Sequence, residues 1–323
     1  MKPLTRLTRY ARRKRPRLVS NQELEAIRLR ERLPPLLQEL RLSRDRGEGV
    51  MGLVFSFNRA LQLHALLRSY FHYAANPAPL TVLYRSQGEG HARSYQELER
   101  EFAGLPVRFV DEEAQGFRES LLGLLEEAPA EKLFCLVDDI CFTGAFDFND
   151  FADLDPALFL FSLRHGRQLD FHYMGQVPMG LPPALSHRSV DPSFFVWRWG
   201  EGEYDWAYPL SVDGHLFNRL EFLAMVRLIS FKAPNSLEHG LQVFLPFFAA
   251  RLGVAYPHSR QVNLPINRVQ KEFANIAGDI TVDFLLQQWE EGRQIDWMKL
   301  RDYPNRGVHE DIQISFCPRQ RQG

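Results

Sequence analysis

The sequence predicts an α/β fold: a mostly parallel central sheet with flanking helices. Three observations lead there. Four short apolar runs, at 50–57, 80–84, 107–110 and 132–137, follow one another before residue 140. They are mostly apolar rather than alternating, as expected of strands buried on both faces. Segments of helical spacing separate them: one carrying Leu61, Leu63, Leu66, Leu67 and Tyr70, one over 94–102 and one near 117–125. Strand, helix, parallel strand is the pattern of crossover units.

The flanking segments are read in order. Residues 22–42 have an approximate helical stripe (Leu24, Ile27, Leu29, Leu33, then Leu36, Leu37, Leu40), with a break or fresh start expected at Pro34-Pro35. Gly47-Glu48-Gly49 marks the boundary before the first strand. Past residue 145 the alternation loosens into an α+β half. There 158–163, 171–174 and 194–199 read as strands, 221–229 as helix, and 236–250 as helix interrupted at Pro246. A polar, mostly helical tail from Gln270 leads to 312–316, where alternating Ile312, Ile314 and Phe316 suit a half-exposed strand. The expected organisation is a basic arm and helical lead-in at 1–48, a catalytic domain at 49–275, and an extension at 276–323.

Composition narrows the class. The chain has 323 residues, 45% of them hydrophobic and 24% charged, which fits a globular protein and excludes disorder throughout, collagen and coiled coil. The longest apolar runs, 157–163 and 243–250, are far shorter than the ~18–20 residues a bilayer span needs. A charge-interrupted amino terminus gives no secretory signal, and three cysteines without C-x-x-C spacing signal neither a disulfide framework nor zinc. A cytoplasmic, reducing location is expected. The net charge of −1 hides an asymmetry: residues 1–49 hold 14 Lys+Arg against 6 Asp+Glu, the rest 25 against 34. The run Arg12-Arg13-Lys14-Arg15-Pro16-Arg17 is either a solvated tail or a peripheral contact with an anionic membrane at its cytoplasmic face. No aromatics interleave with it, so nucleic acid is not expected as a partner.

In an open parallel sheet the ligand site lies outside the carboxyl ends of the strands. The residues ending the four runs are therefore the candidates: Ser56, Asn58 and Arg59; Arg85 with Ser86; Asp111; and Asp138-Asp139. Basic and amide groups suit a phosphorylated ligand, and hard carboxylate oxygens suit Mg²⁺ or Mn²⁺. Strand alternation would send Asp138 and Asp139 to opposite faces, one to a metal and one to a ligand hydroxyl or the loop. A turn or helix-capping role for the pair is the competing reading. Tyr204, Trp206, Tyr208, Trp197 and Trp199 suit stacking on a sugar, or core packing. His165 follows Arg164 and is read as a surface residue or a neighbour of the diphosphate. There is no H-E-x-x-H, no Walker A motif, no complete dinucleotide fingerprint and no G-x-S-x-G elbow.

Six pieces, in order between about residues 50 and 275, resemble the GT-A glycosyltransferases, and in particular a bacterial family 2-like branch: Val54-Phe55-Ser56-Phe57-Asn58-Arg59, Val82-Leu83-Tyr84-Arg85-Ser86, Leu136-Val137-Asp138-Asp139-Ile140-Cys141-Phe142, Phe161-Ser162-Leu163-Arg164, Tyr208-Pro209-Leu210-Ser211-Val212-Asp213-Gly214-His215, and Pro234-Asn235-Ser236-Leu237-Glu238 followed by Val262-Asn263-Leu264-Pro265-Ile266-Asn267. The resemblance implies a metal-dependent transfer of a sugar from a nucleoside-diphosphate-sugar to an acceptor hydroxyl on a glycan, lipid or protein. Ser56, Asn58, Arg59, Arg85 and Asp138 would line the nucleotide, and Asp139 with Asp138 would hold Mn²⁺ or Mg²⁺. The family's D-x-D has a spacer and here the acids are adjacent, which leaves open the coordinating residue; Asp139, nearer the loop, is favoured. Asp213 and Glu238 are the candidate bases. Asp213 sits in a tight turn and alternatively binds the acceptor, and Glu238 alternatively caps a helix begun at Asn235. A non-catalytic nucleotide- or glycan-binding module and a nucleotidyltransferase are the competing functions.

Overall fold

The computed structural model describes residues 20–112, 115–267, 276 and 278–319. The basic run at 12–17 lies outside them. A lead-in helix, α1 (Asn21–Ser43), is followed by β1 (Val50–Phe57), α2 (Ala60–Tyr73), β2 (Leu80–Arg85), α3 (Glu89–Glu101), β3 (Val107–Asp111), α4 (Phe117–Glu127) and β4 (Lys132–Val137). The second half adds β5 (Ile140–Phe142), β6 (Phe159–Ser162), β7 (Phe171–His172), β8 (Val177–Pro178), β9 (Phe195–Arg198), β10 (His215–Asn218), α5 (Arg219–Leu228), α6 (Pro234–Leu241), α7 (Leu245–Phe248), β11 (Leu252–Ala255) and β12 (Gln261–Asn263). The chain closes with α8 (Val282–Glu290), β13 (Arg293–Ile295) and β14 (Phe316–Pro318).

Eight strands form one sheet in the order β3-β2-β1-β4-β10-β6-β11-β9. The pairs β1–β2, β1–β4, β2–β3 and β6–β11 are parallel, so only β10 and β9 run against the other six. The expected α/β architecture with a mostly parallel, helix-flanked sheet is the one observed. Apolar residues leave both faces of the central strands. Val54, Phe134 and Leu136 pack with Leu61, Leu66 and Tyr70 of α2 and with Trp289 of α8. On the other face Leu53, Phe55 and Leu133 meet Leu121 and Leu125 of α4 and Phe222 and Leu223 of α5. Each such leucine contributes roughly 1.5–3 kcal/mol by leaving water. That two-sided burial is why these strands lack an alternating pattern.

The structure departs from the sequence reading in three elements. α1 runs unbroken through Pro34-Pro35, with Leu33 and Leu40 buried in the α4–α5 face of the core and the Arg30 side chain bonded to the Val243 carbonyl at 2.6 Å. Packing along the helix outweighs the two backbone bonds the prolines remove. Pro246 lies at the start of α7 rather than interrupting a helix, since a first-turn position needs no donor. The strand expected at 312–316 begins only at Phe316 and pairs with β13. Of the helical tail expected from Gln270, residues 270–275 lie outside the described set, and α8 is its one α-helix among the described residues. None of the described helices is long and apolar enough to cross a membrane.

Close packing of β1 between β2 and β4 depends on Gly52, where a Cβ would come within 2.4 Å of a Leu80 methyl and 2.6 Å of the Phe134 ring. Gly52→Ala is expected to lower unfolding free energy by about 1–3 kcal/mol through overpacking; urea denaturation checks this, and an unchanged midpoint would show that the two strands yield freely.

Candidate active site

The carboxyl ends of β1, β2, β4 and β6 open on one edge of the sheet, and the reversed strand β10 starts there. Ser56, Arg59, Arg85, Asp138, Asp139, Arg164 and Asp213 therefore meet around one cleft of about 810 Å³, to which α6 contributes Glu238. Seven of the ten candidates line it; Asn58, Ser86 and Asp111, at the same strand ends, do not. Asn58 is a loop-forming residue: it adopts a left-handed φ of 54° and its side chain accepts from the Gln87 N–H at 2.8 Å, tying the end of β1 to the loop after β2.

One wall is organised by Arg59. β4 ends at Val137, so Asp138 and Asp139 lie in a turn before β5, and both point at the same guanidinium. The strand alternation expected to separate them has ceased by then. Arg59 Nη1 is 2.9 Å from Asp138 Oδ1 and 3.3 Å from Asp139 Oδ2, and Nη2 donates to the Asn267 carbonyl. Asp138 Oδ2 accepts from the Ser56 hydroxyl at 2.9 Å and from the Phe57 N–H at 3.1 Å. Tyr95 completes the set, its hydroxyl 2.5 Å from Ser56 Oγ and accepting from Arg59 N–H. Burial works against the Arg59 charge, but Asp138 and Asp139 outweigh it and raise its pKa. Asp139 is less enclosed. One oxygen reaches Asn263 Nδ2 at 3.4 Å, and its carboxyl is pushed up to about 7, first by burial and despite Arg59, with Asp138 and Asp213 adding to the rise.

The facing wall comes from the second half of the chain. Arg164, two residues past β6, lies 3.2 Å from Asp213 Oδ2 and 3.9 Å from Asp205 Oδ1, and donates to the Ser211 hydroxyl. Ser211 Oγ in turn donates to Glu238 Oε2 at 3.3 Å, and the Val212 N–H reaches the same oxygen at 2.9 Å. Gly214, at φ 78°, makes the tight turn that presents Asp213. Glu238 does not cap its helix: α6 starts at Pro234, so Glu238 projects from its second turn into the cleft. Its carboxyl is pushed up to about 7 by burial and by Asp213. His172 Nδ1 is 2.9 Å from Asp205, and His309 approaches Asp213 at 3.9 Å. Burial, with Arg164 nearby, pushes His309 down to about 4, so it is neutral there. His165 is neither exposed nor at the cleft: it is buried, bonded to Ser162 and to the Asp205 carbonyl.

Tyr95, Arg164, Asp205, His172, Asn263 and His309 were not picked out as site residues from the sequence. Arg164 obeys the same strand-end rule as Arg85 and was readable that way; the others come from helices, loops and the very short strands β7 and β12, which have no local signature.

A divalent ion fits only part of the expected ligand set. Both oxygens of Asp138 are filled by Arg59, Ser56 and the Phe57 amide, so a two-acid cradle does not form, and no group of three or more His, Cys, Asp or Glu among the described residues could hold a metal. Asp139 presents the less enclosed carboxylate of the pair, its oxygens meeting Arg59 at 3.3 Å and Asn263 at 3.4 Å. That donor suits an ion completed by waters and substrate phosphates, as Mg²⁺ commonly is. The cleft as a whole is acidic: Glu112, Asp138, Asp139, Asp205, Asp213 and Glu238 face Arg59, Arg85, Arg164 and Lys232.

No protein-family model matches the chain, and no curated protein matches it. Solved structures do. The first 349 residues of S. aureus TarS are 13% identical, with 64% of this chain aligned to 58% of that one at a TM-score of 0.40. A mannosyltransferase from Pyrobaculum calidifontis, solved with GDP-Man and Mn²⁺, is 16% identical over 45% of this chain and 47% of its own, at a TM-score of 0.29. A nucleotidyl transferase from Methanothermobacter thermautotroptrophicus is 14% identical over 67% and 92%, at 0.38. The chain thus spans little more than half of the TarS fragment. At this distance the side chains of the cleft, not the neighbours, must carry any functional reading.

The two acids should separate in stability. Asp138→Ala strands the buried Arg59 side and is expected to cost about 3–5 kcal/mol, whereas Asp139→Asn, at a carboxyl already prone to protonation, should leave the thermal midpoint near that of the parent. Thermal melts of both variants check this; equal losses would show that the pair acts as one unit.

Proposed function

We propose that the protein transfers a sugar from a nucleoside-diphosphate-sugar to an acceptor hydroxyl. The observation that carries this reading is the pairing, across one cleft, of a strand-end wall suited to a diphosphate with a buried, protonatable carboxyl on α6. Arg85, whose guanidinium lies 5.9 Å from the Phe57 ring centroid, and Ser56 are at the strand ends where a diphosphate would sit. Asp139 would hold a Mg²⁺ or Mn²⁺ brought by that diphosphate. Bound there, the ion supplies charge neutralisation for the leaving nucleoside diphosphate. Arg59 holds Asp138 and the strand-end turn in place. On the other wall Glu238 accepts the proton of the incoming hydroxyl, its lone pairs aimed by the Val212 N–H and the Ser211 hydroxyl. A carboxyl with a pKa near 7 is matched to that task at neutral pH. Asp213, held by Arg164, would bind the acceptor.

Nucleotide sugars with and without Mn²⁺ test the reading through thermal shift and release of free nucleoside diphosphate. Metal-enhanced binding with release supports it. Binding without release would favour a binding module, and pyrophosphate formation a nucleotidyltransferase. Asp139→Asn is expected to abolish the metal enhancement; full enhancement in the variant would remove Asp139 as the metal's residue.

The pH profile tests Glu238. Its raised pKa leaves it protonated and inactive as a base below about 7 and ionised above, so the transfer rate should rise with pH through that value and then level. Glu238→Gln should lower kcat by about 10²–10⁴-fold and reduce the acid limb to what Asp139, also pushed up to about 7, contributes. A variant that keeps both rate and limb would move the base elsewhere.

A further inference from the structure

The five aromatic residues between 197 and 208 separate cleanly by environment. Trp197, Trp199 and Trp206 are fully buried and pack on one another, Trp197 with Trp206 at 5.0 Å between ring centroids and with Trp199 at 4.8 Å. Tyr208 is half-buried and lines the cleft on the Glu238 side. Tyr204 lines it too and is the most exposed of the five, at 48%, on a single helical turn whose next residues are the anchor Asp205 and the core residue Trp206.

Two features show that this ring is held rather than loose. Its backbone has a left-handed φ of 51°, which a bulky residue adopts only when its surroundings impose it. Its face lies on the imidazole of His172, with centroids 5.0 Å apart and planes 20° from parallel. His172 is itself gripped by Asp205 at 2.9 Å, and Asp205 belongs to the Arg164 network that reaches Asp213, Ser211 and Glu238. The geometry points to a rigid aromatic platform, Tyr204 backed by His172, that stacks against the C–H face of a pyranose acceptor and delivers its hydroxyl toward the Glu238 wall. The acceptor class it selects is carbohydrate rather than lipid or peptide: a flat ring face rimmed by carboxylates and imidazoles matches a ring with one apolar face and hydroxyls around its edge. The word acceptor rests on the transferase reading above; the platform itself does not.

The test therefore uses binding, not turnover. Glucose, galactose, N-acetylglucosamine, cellobiose and diacetylchitobiose are titrated onto the intact protein by saturation-transfer NMR, with nucleoside diphosphate thermal shifts measured in parallel. At least one sugar should bind through its ring C–H protons. Tyr204→Ala should weaken that sugar by about three- to tenfold, the range for one lost stacking contact, and Tyr204→Phe should restore it. His172→Ala, which removes the support without touching the strained turn, should weaken it as well and serves if Tyr204→Ala does not fold. Absence of binding by every sugar, binding of a long-chain alcohol or a peptide instead, or affinity unchanged from the parent in both Tyr204→Ala and His172→Ala each overturns the proposal. Sugar binding that depends on Tyr204 in a protein unresponsive to nucleoside diphosphates would uphold the platform and sink the transferase reading.

Discussion

The buried guanidinium of Arg59 is the interaction on which the cleft depends. It stands at the junction of β1 and α2, yet its partners are Asp138 and Asp139 at the end of β4 and the Asn267 carbonyl beyond β12. Three segments far apart in sequence are thus held by one planar cation, whose several N–H groups satisfy several acceptors at once, which a lysine could not do in the same plane. Removing a charge of this kind from water is costly unless its partners are close and well aligned, so the surrounding turns are constrained to keep them there. Ser56, Tyr95 and the Phe57 amide complete that constraint by saturating Asp138.

A consequence is a division of labour between adjacent acids. Asp138 is consumed in holding the strand ends together, and Asp139, one residue on, is left partly neutralised at the cleft. The same division recurs across the cleft. Arg164 secures Asp213 and Asp205, while Glu238 is supported by hydrogen-bond donors and, among the described residues, has no cation bonded to it, so burial and Asp213 raise its proton affinity. Each wall therefore pairs an arginine-locked acid with an open one. An anionic diphosphate entering this excess of carboxylates is favoured only if a cation or protons come with it, which links ligand binding to metal and pH.

Much of the first half was legible in the residues because it follows local rules. The apolar runs at 50–57 and 132–137 became β1 and β4 with those limits, and the strand-end rule led to Ser56, Arg85 and the acid pair. The strands β10, β11 and β12 were not legible: each is three or four residues long, and their pairing is set by distant partners rather than by a run of their own. Pro34-Pro35 misled because a helix penalty read locally was offset by packing on α5. His165 misled because nothing nearby in the sequence indicates that it is enclosed by Trp197, Trp199 and Trp206.

Residue order and chemistry were sufficient for the α/β class, the edge of the sheet where ligand chemistry belongs, and Asp139 at a strand end, since strand burial and strand-end polarity are properties of contiguous segments; Asp213 and Glu238 entered through the family resemblance. Folding settled how charge is shared among them. That Asp138 is spent on Arg59, that Tyr204 rather than three neighbouring tryptophans faces the cleft, and that Glu238 is a cleft acid rather than a helix cap all follow from contacts between segments tens to hundreds of residues apart, and no local pattern encodes a distance of that kind.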